Sequence, residues 1–91
     1  MLLIKNLKDN VMKIKSKEFT EQEALAYFAK MFKSYDYTIV SGEWNTFVVN
    51  FGDGFSKHKE WCYDVSFRLN GNDNVYAFSM WIDYDKLYGE W

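Results

Sequence analysis

His58 and Cys62 are the residues best suited to nucleophilic catalysis, because an imidazole can hold a thiol as the reactive thiolate. The chain contains one histidine and one cysteine, so no second pair exists. On the strand predicted for this segment, a spacing of four residues separates the two side chains by roughly 13 Å. We therefore predict no catalytic residue and classify the chain as a non-enzyme. Cys62 alternates away from the predicted core, and we expect a small surface or interface cysteine.

The sequence also lacks residues with the spacing needed to bind a metal ion or a phosphate group. One histidine and one cysteine cannot complete a zinc site within a single chain. Residues 70–74 are rich in side-chain oxygens, but they lack the alternating acidic ligands and the final glutamate of a calcium loop. Asp83 and Asp85 could act as paired carboxylates that bind magnesium, but their spacing equally fits the solvent side of a strand. Residues 52–57 lack the spacing of a phosphate loop. We predict no metal site and no cofactor.

One amphipathic helix is predicted over residues 20–35. Thr20 and Glu23 form a capping box, in which each side chain accepts a hydrogen bond from the other residue's backbone N–H. Phe19 precedes the cap and can pack on Ala24 as a hydrophobic staple. The residues that recur at helical spacing and should face the core are Leu25, Phe28, Met31, Phe32 and Tyr35.

The segment after the helix alternates apolar and polar residues, which is typical of half-buried antiparallel strands. A turn at residues 41–43 should separate the first two strands, and residues 70–74 should form another. The predicted strands cover 37–40, 44–51, 60–69 and 75–84. Rows of large side chains, including Phe47, Val49 and Phe51 on the second strand, should face the helix. Residues 84–91 alternate rings with acids and suggest a docking segment or a lid.

The predicted fold is therefore α+β, with one amphipathic helix packed on one face of a four- to five-stranded antiparallel sheet. The order is β-α-β-β-β-β if residues 11–15 add a strand at an edge. Residues 1–91 form a single domain, in which residues 1–11 are a candidate for a loosely ordered extension, since Met12 is a second candidate start. The same order occurs in cystatin-like domains, but residues 47–52 lack the glutamine of their inhibitory loop, and we assign no family.

Charge is unevenly distributed along the chain. The net charge is −2, yet residues 1–17 carry +4, so the remainder carries −6. An acidic body argues against binding a phosphate backbone, which needs a basic face. The basic arm that keeps this alternative open consists of Lys5, Lys8, Lys13, Lys15 and Lys17.

The expected location is the cytoplasm, because a single cysteine excludes an internal disulfide and no apolar run is long enough for a signal peptide or a membrane span. We expect no membrane partner. The composition is lysine-rich and lacks proline, which is typical of AT-rich coding sequences such as those of low-GC bacteria and their phages.

Two tryptophans fall out of register with the apolar rows of their strands. On a regular strand, Trp44 lies on the opposite side from Phe47 and Val49. Trp81 likewise lies on the opposite side from the apolar row of its own strand. A regular pleat would point both tryptophans away from the helix, where they are either exposed or covered by the termini. Exposed rings with charged neighbours resemble a binding hot spot. The candidate partner-binding residues are Trp44, Trp81, Asp64, Arg68, Asp83, Tyr88 and Trp91.

The sequence thus favours a non-enzymatic protein-binding domain that acts by covering a partner's surface. A small phage or mobile-element inhibitor of a host protein, of the anti-defence or anti-CRISPR type, fits the size, acidity and composition. A nucleic-acid accessory module that uses the lysine arm is the alternative. A homodimer formed through an edge strand or through the tryptophan face is a third.

Overall fold

The computed structural model describes residue 14, residues 16–50 and residues 57–91, and the predicted extension 1–11 lies outside them. These residues form one helix, α1 (Glu21–Met31), followed by a four-stranded antiparallel sheet in the order β1-β2-β3-β4. The strands are Tyr37–Asn50 (β1), Lys57–Leu69 (β2), Tyr76–Asp83 (β3) and Lys86–Glu90 (β4). The predicted α+β class is confirmed. Of the predicted N-terminal strand, the structure describes Ile14, which forms a parallel bridge with Lys59.

Helix α1 begins with the predicted capping box. The backbone N–H of Glu23 donates to Thr20 Oγ1 at 3.1 Å, and the backbone N–H of Thr20 donates to Glu23 Oε1 at 2.9 Å. Phe19 and Ala24 are both buried in the core, as the staple requires. The helix ends at Met31, four residues before the predicted end, and Met31 and Tyr35 are 50% and 49% exposed. Their predicted place in the core was wrong: Met31 ends α1 with its side chain half-exposed, and Tyr35 follows the turn after the helix, while Phe32 between them is buried.

The core lies between α1 and one face of the sheet, which we call the helix face. Phe28 and Phe32 pack edge-on against Phe67 at ring-centroid distances of 5.1 and 4.8 Å, and Phe78 contacts both of these rings. The buried members of this core are Phe19, Ala24, Phe28, Phe32, Tyr63, Val65, Phe67, Phe78 and Met80. Burial of so many rings supplies the apolar area that a small domain needs.

Strand β1 is continuous through the predicted turn at residues 41–43. The register shifts between Ile39 and Ser41, so Val40 forms a bulge while pairing with β2 continues on both sides. A bulge kinks a strand without ending it. The predicted separation into strands 37–40 and 44–51 was therefore wrong.

The loop after β2 is a hairpin turn, as predicted. Gly71 has φ +88°, and the Asn72 backbone N–H donates to the Leu69 carbonyl at 3.0 Å. Asn70 binds Asp36 through its side-chain amide at 2.7 Å and accepts from Thr38 Oγ1 at 2.7 Å. These oxygens and amides hold the loop against the start of β1.

A second hairpin joins β3 to β4, which the sequence did not predict. Asp83 pairs with Lys86, and the two residues between them, Tyr84 and Asp85, have φ values of 51° and 65°. Two consecutive positive φ angles are typical of a type I′ turn. The tail predicted as a docking segment or lid is therefore a strand of the sheet as far as Glu90.

Candidate functional site

The sheet has a second face, opposite α1, which we call the outer face. Residues directly opposite each other in the register share a face, and side chains alternate along each strand. Asp64 lies opposite Glu43 on β1 and Ser79 on β3, and Ser79 in turn lies opposite Glu90 on β4. The principal residues of the outer face are Glu43, Asn45, Phe47, His58, Glu60, Cys62, Asp64, Arg68, Trp81, Asp83, Lys86, Tyr88 and Glu90.

Most of the predicted partner-binding residues lie together on this outer face. Trp81 sits opposite Tyr88, and Asp83 follows on the same side of β3. Asp64 and Arg68 lie on the same side of β2. These five predicted residues therefore form one surface rather than scattered positions.

Trp44 does not belong to this surface, and its predicted orientation was wrong. It lies opposite Tyr63, on the helix face, and contacts the rings of Phe19 and Tyr63 at 5.0 Å each. The N-terminal segment also places the Lys17 ammonium 4.5 Å from the Trp44 ring and 4.7 Å from the Trp61 ring. Trp44 therefore belongs to the row that faces the helix, and neither the exposed nor the terminus-covered position predicted for it on the opposite face applies.

Trp91 also lies toward the helix face. Its ring contacts Phe32 at 5.1 Å and Phe67 at 5.7 Å, although 58% of the residue remains exposed. It closes the end of the core where β4 stops. This position gives Trp91 a packing role that the sequence reading did not assign.

Phe47 is a member of the outer face that the sequence reading missed. It lies opposite Glu60, and its ring contacts the Trp81 ring edge-on at 6.2 Å. The prediction that Phe47 and Val49 face the helix was wrong, because Val49 lies opposite His58 on the outer side. Phe51, the third residue of that predicted row, lies outside the described residues.

Cys62 lies on the outer face, away from the helix as predicted, but it is 8% exposed, so the expected position at the surface was wrong. Continuing the register from Tyr63 and Met80 places Cys62 beside Trp81, and Asn45 lies opposite it on β1. Burial, and secondly the negative charge of Asp64, raise the pKa of Cys62 to about 11. The thiol is therefore protonated and a poor nucleophile at neutral pH.

Asp64 is fixed within the surface by Asn45, whose Nδ2 donates to Asp64 Oδ2 at 2.6 Å. Its other carboxylate oxygen, Oδ1, is buried without a hydrogen-bond partner among the described residues. His58 and Glu60 form an ion pair at 2.6 Å between Nε2 and Oε2 when the imidazole is protonated. These contacts hold polar groups in fixed positions beside the two rings.

A groove of about 330 Å³ opens beside the rings. Pairing between β2 and β3 extends from Tyr63 opposite Met80 to Phe67 opposite Tyr76, so the groove lies where the two strands diverge. Its lining combines the apolar side chains of Phe47, Val49, Trp81 and Ile82 with Tyr84 and the carboxylates of Glu18, Glu60, Asp83 and Asp85. A lining that combines apolar side chains with carboxylates suits a lysine or arginine side chain, whose stem is apolar and whose head is cationic.

The described residues contain no group of three or more histidine, cysteine, aspartate or glutamate side chains arranged to hold a metal ion. No helix among the described residues is both long enough and apolar enough to cross a membrane. Of the predicted basic arm, Lys5, Lys8, Lys13 and Lys15 lie outside the described residues. Lys17 is described, and its ammonium is directed at Trp44 and Trp61.

Compared with models of known protein families, with curated proteins and with solved structures, the chain shows no match.

Proposed function

We propose that the chain is a non-enzymatic protein-binding domain whose outer face covers a basic surface on a partner protein. The observation that carries this proposal is the grouping of Trp81, Phe47 and Tyr88 with carboxylates on a face that α1 does not cover. Tryptophan and tyrosine dominate the energetics of protein interfaces because they bury large areas at low entropic cost.

Charge specifies the kind of partner. On the outer face the carboxylates of Glu43, Glu60, Asp64, Asp83 and Glu90 outnumber the cations. Such a face repels nucleic acid and attracts a surface rich in lysine and arginine. A partner side chain of that type fits the groove between β2 and β3, with its stem on Trp81 and its head near Asp83.

The mechanism is occlusion. A basic channel or patch that a partner uses for nucleic acid would be covered, and its charge neutralised, by this acidic face. The biological setting we propose is a small phage or mobile-element inhibitor of a host protein, of the anti-defence or anti-CRISPR type. Size, acidity and a lysine-rich composition support that setting.

The test uses a matched pair of exposed tyrosines. Tyr88 on the outer face is 42% exposed, and Tyr35 near the helix end is 49% exposed. Immobilised wild-type protein, Tyr88→Ala and Tyr35→Ala would be offered a nuclease-treated host lysate. We expect a basic protein that wild type and Tyr35→Ala retain and Tyr88→Ala loses at least tenfold. Equal retention by both variants, or an acidic partner, would contradict the proposal.

Charge reversal gives an independent readout on the captured protein. Asp83→Lys and Glu90→Lys should each weaken binding and flatten its dependence on salt, since an attractive charge pair is removed. Asp73→Lys, in the β2–β3 loop, is the matched control and should bind like wild type. Circular dichroism would confirm that each variant is folded.

A nucleic-acid accessory module remains the alternative function, because the N-terminal segment is lysine-rich. It predicts that retention disappears with nuclease and that affinity for DNA or RNA falls steeply with salt. The contact of Lys17 with two tryptophan rings weighs against it, since this lysine already has an internal partner.

A further inference from the structure

Strand β1 is an edge of the sheet over its full length of 14 residues. One side pairs with β2, and no described residue pairs with the other side. A free edge presents unpaired backbone N–H and C=O groups to any strand that can approach it.

The two edges of the sheet differ in how they are protected. Strand β4 has five residues and carries Lys86 and Glu90, and a short charged strand is a poor template for pairing. Strand β1 contains no lysine and no proline, Glu43 is its sole charged residue, and the bulge at Val40 is the one feature of the strand that disfavours further pairing. Its side chains Ile39, Val40 and Val48 are 42%, 53% and 47% exposed. Long apolar edges of this kind are usually covered.

We propose that β1 pairs antiparallel with β1 of a second copy of this chain, about a two-fold axis at Trp44. This axis places Gly42 opposite Thr46 and Glu43 opposite Asn45 of the second copy. The one charge of each strand, Glu43, then lies directly opposite a neutral amide, and the two Glu43 side chains are diagonal neighbours on the outer face. Beyond the bulge at Val40, exposed Ile39 lies opposite exposed Val48, both on the helix face.

The edge is thus complementary to itself in its exposed apolar side chains, which is what a two-fold interface requires. The product is one continuous sheet with both helices on one side and both outer faces on the other. Because the interface repeats the same edge twice, the assembly closes as a dimer and does not extend into fibres. The proposal does not depend on what the outer face binds.

Sedimentation velocity at micromolar concentrations tests the proposal. Wild type should sediment as a dimer, and Val48→Glu should raise the dimer dissociation constant at least tenfold. Val48 lies opposite Lys59 within its own sheet, so a glutamate there keeps a favourable neighbour and the fold is retained. Val75→Glu, at a site that is 59% exposed and outside every strand, is the control and should remain dimeric.

Three outcomes would overturn the proposal. They are a wild-type monomer at 100 micromolar, equal effects of Val48→Glu and Val75→Glu, and loss of the dimer on Tyr88→Ala, which would move the interface to the outer face. The capture experiment remains distinct, because a monomeric Val48→Glu variant should still retain the partner through Tyr88.

Discussion

The ring of Tyr63 on β2 lies directly over the backbone of Gly42 on β1, and its hydroxyl donates a hydrogen bond to Glu21 Oε2 at 3.0 Å. A Cβ atom at position 42 would collide with that hydroxyl. The missing side chain of Gly42 therefore lets a buried ring reach across the sheet to the first turn of α1. This contact links the edge strand, its neighbour and the helix.

Gly42→Ala should destabilise the fold because the new methyl group and the Tyr63 ring compete for the same space. Overpacking of a core typically costs about 1–3 kcal/mol. Urea unfolding monitored by tryptophan fluorescence would measure the loss. Gly71→Ala is unsuitable as a control, because φ is +88° there and the backbone itself would be strained.

A double-mutant cycle with Tyr63→Leu isolates the contact. If the clash is the cause, Gly42→Ala should cost far less in the Tyr63→Leu background, with a coupling energy of about 1 kcal/mol or more. Additive effects would mean that Gly42 is needed for another reason. Tyr63→Phe would separately remove the hydroxyl bond to Glu21, at a cost of about 0.5–1.5 kcal/mol.

The turn between β3 and β4 offers a stabilising change. Tyr84 and Asp85 hold φ values of 51° and 65°, and Tyr84 is 90% exposed, so its ring contributes little burial. Asn-Gly is the preferred pair for a type I′ turn. Tyr84→Asn with Asp85→Gly should raise the free energy of unfolding by about 1 kcal/mol.

Thermal unfolding of this double variant should show a higher midpoint than wild type. The control is Asp73→Gly in the other hairpin, where φ is negative and glycine only adds freedom to the unfolded chain. That variant should lose a few tenths of a kcal/mol to about 1 kcal/mol. A destabilised Tyr84→Asn/Asp85→Gly protein would refute the assignment of strain to this turn.

Much of the fold follows from local sequence signals. The capping box and staple specify where α1 begins, and strict alternation specifies β2 and β3. The β3–β4 hairpin was missed because its turn uses Tyr84 and Asp85 in place of glycine or asparagine. Gly42 was interpreted as a turn residue, whereas its role depends on Tyr63, a partner 21 positions away that local sequence does not reveal.

The faces of β1 were assigned incorrectly for a related reason. Alternation alone cannot say which of two apolar rows faces the helix when β1 carries Trp44 on one side and Phe47 on the other. The pairing with β2 decides it, since Trp44 lies opposite Tyr63 and Asn50 lies opposite Lys57. That pairing lies between two strands and cannot be deduced from the alternation along β1 alone.

Lys17 should contribute to stability through the rings it contacts. Its ammonium lies within 4.7 Å of both the Trp44 and Trp61 centroids, and cation–π contacts at exposed sites contribute about 0.5–1 kcal/mol. Lys17→Met keeps the apolar stem and removes the charge, so it should lower stability by about that amount. Lys17→Arg should retain most of it.

Chemical denaturation of both variants would check this, with Lys33→Met as the control outside the cluster. The indole emission of Lys17→Met should also change, because a cation leaves the faces of two tryptophans. Equal stability of Lys17→Met and wild type would show that the contact contributes nothing.

Ionisation of the Cys62 thiol should make the free energy of unfolding depend on pH in the alkaline range. Burial and the Asp64 carboxylate raise its pKa from the ordinary value of 9.0 to about 11 in the folded protein. Below pH 9 the thiol is protonated in both states and the stability contribution is fully present. Between these two values the unfolded chain releases its proton while the folded protein retains it, so the free energy of unfolding falls as pH rises. The slope from this one group is at most about 1.4 kcal/mol per pH unit.

Ionisation of Tyr63 also lowers the free energy of unfolding as the pH rises, because burial and secondly the hydrogen bond to Glu21 raise the pKa of Tyr63 as well. Cys62→Ala separates the two contributions. The free energy of unfolding of wild type minus that of Cys62→Ala, measured in urea at pH 8, 9 and 10, should decrease as the pH rises. Titration of tyrosines and lysines cancels in that difference. A difference that stays constant with pH, or rapid alkylation of the native thiol at pH 8, would show that Cys62 is exposed to solvent rather than buried.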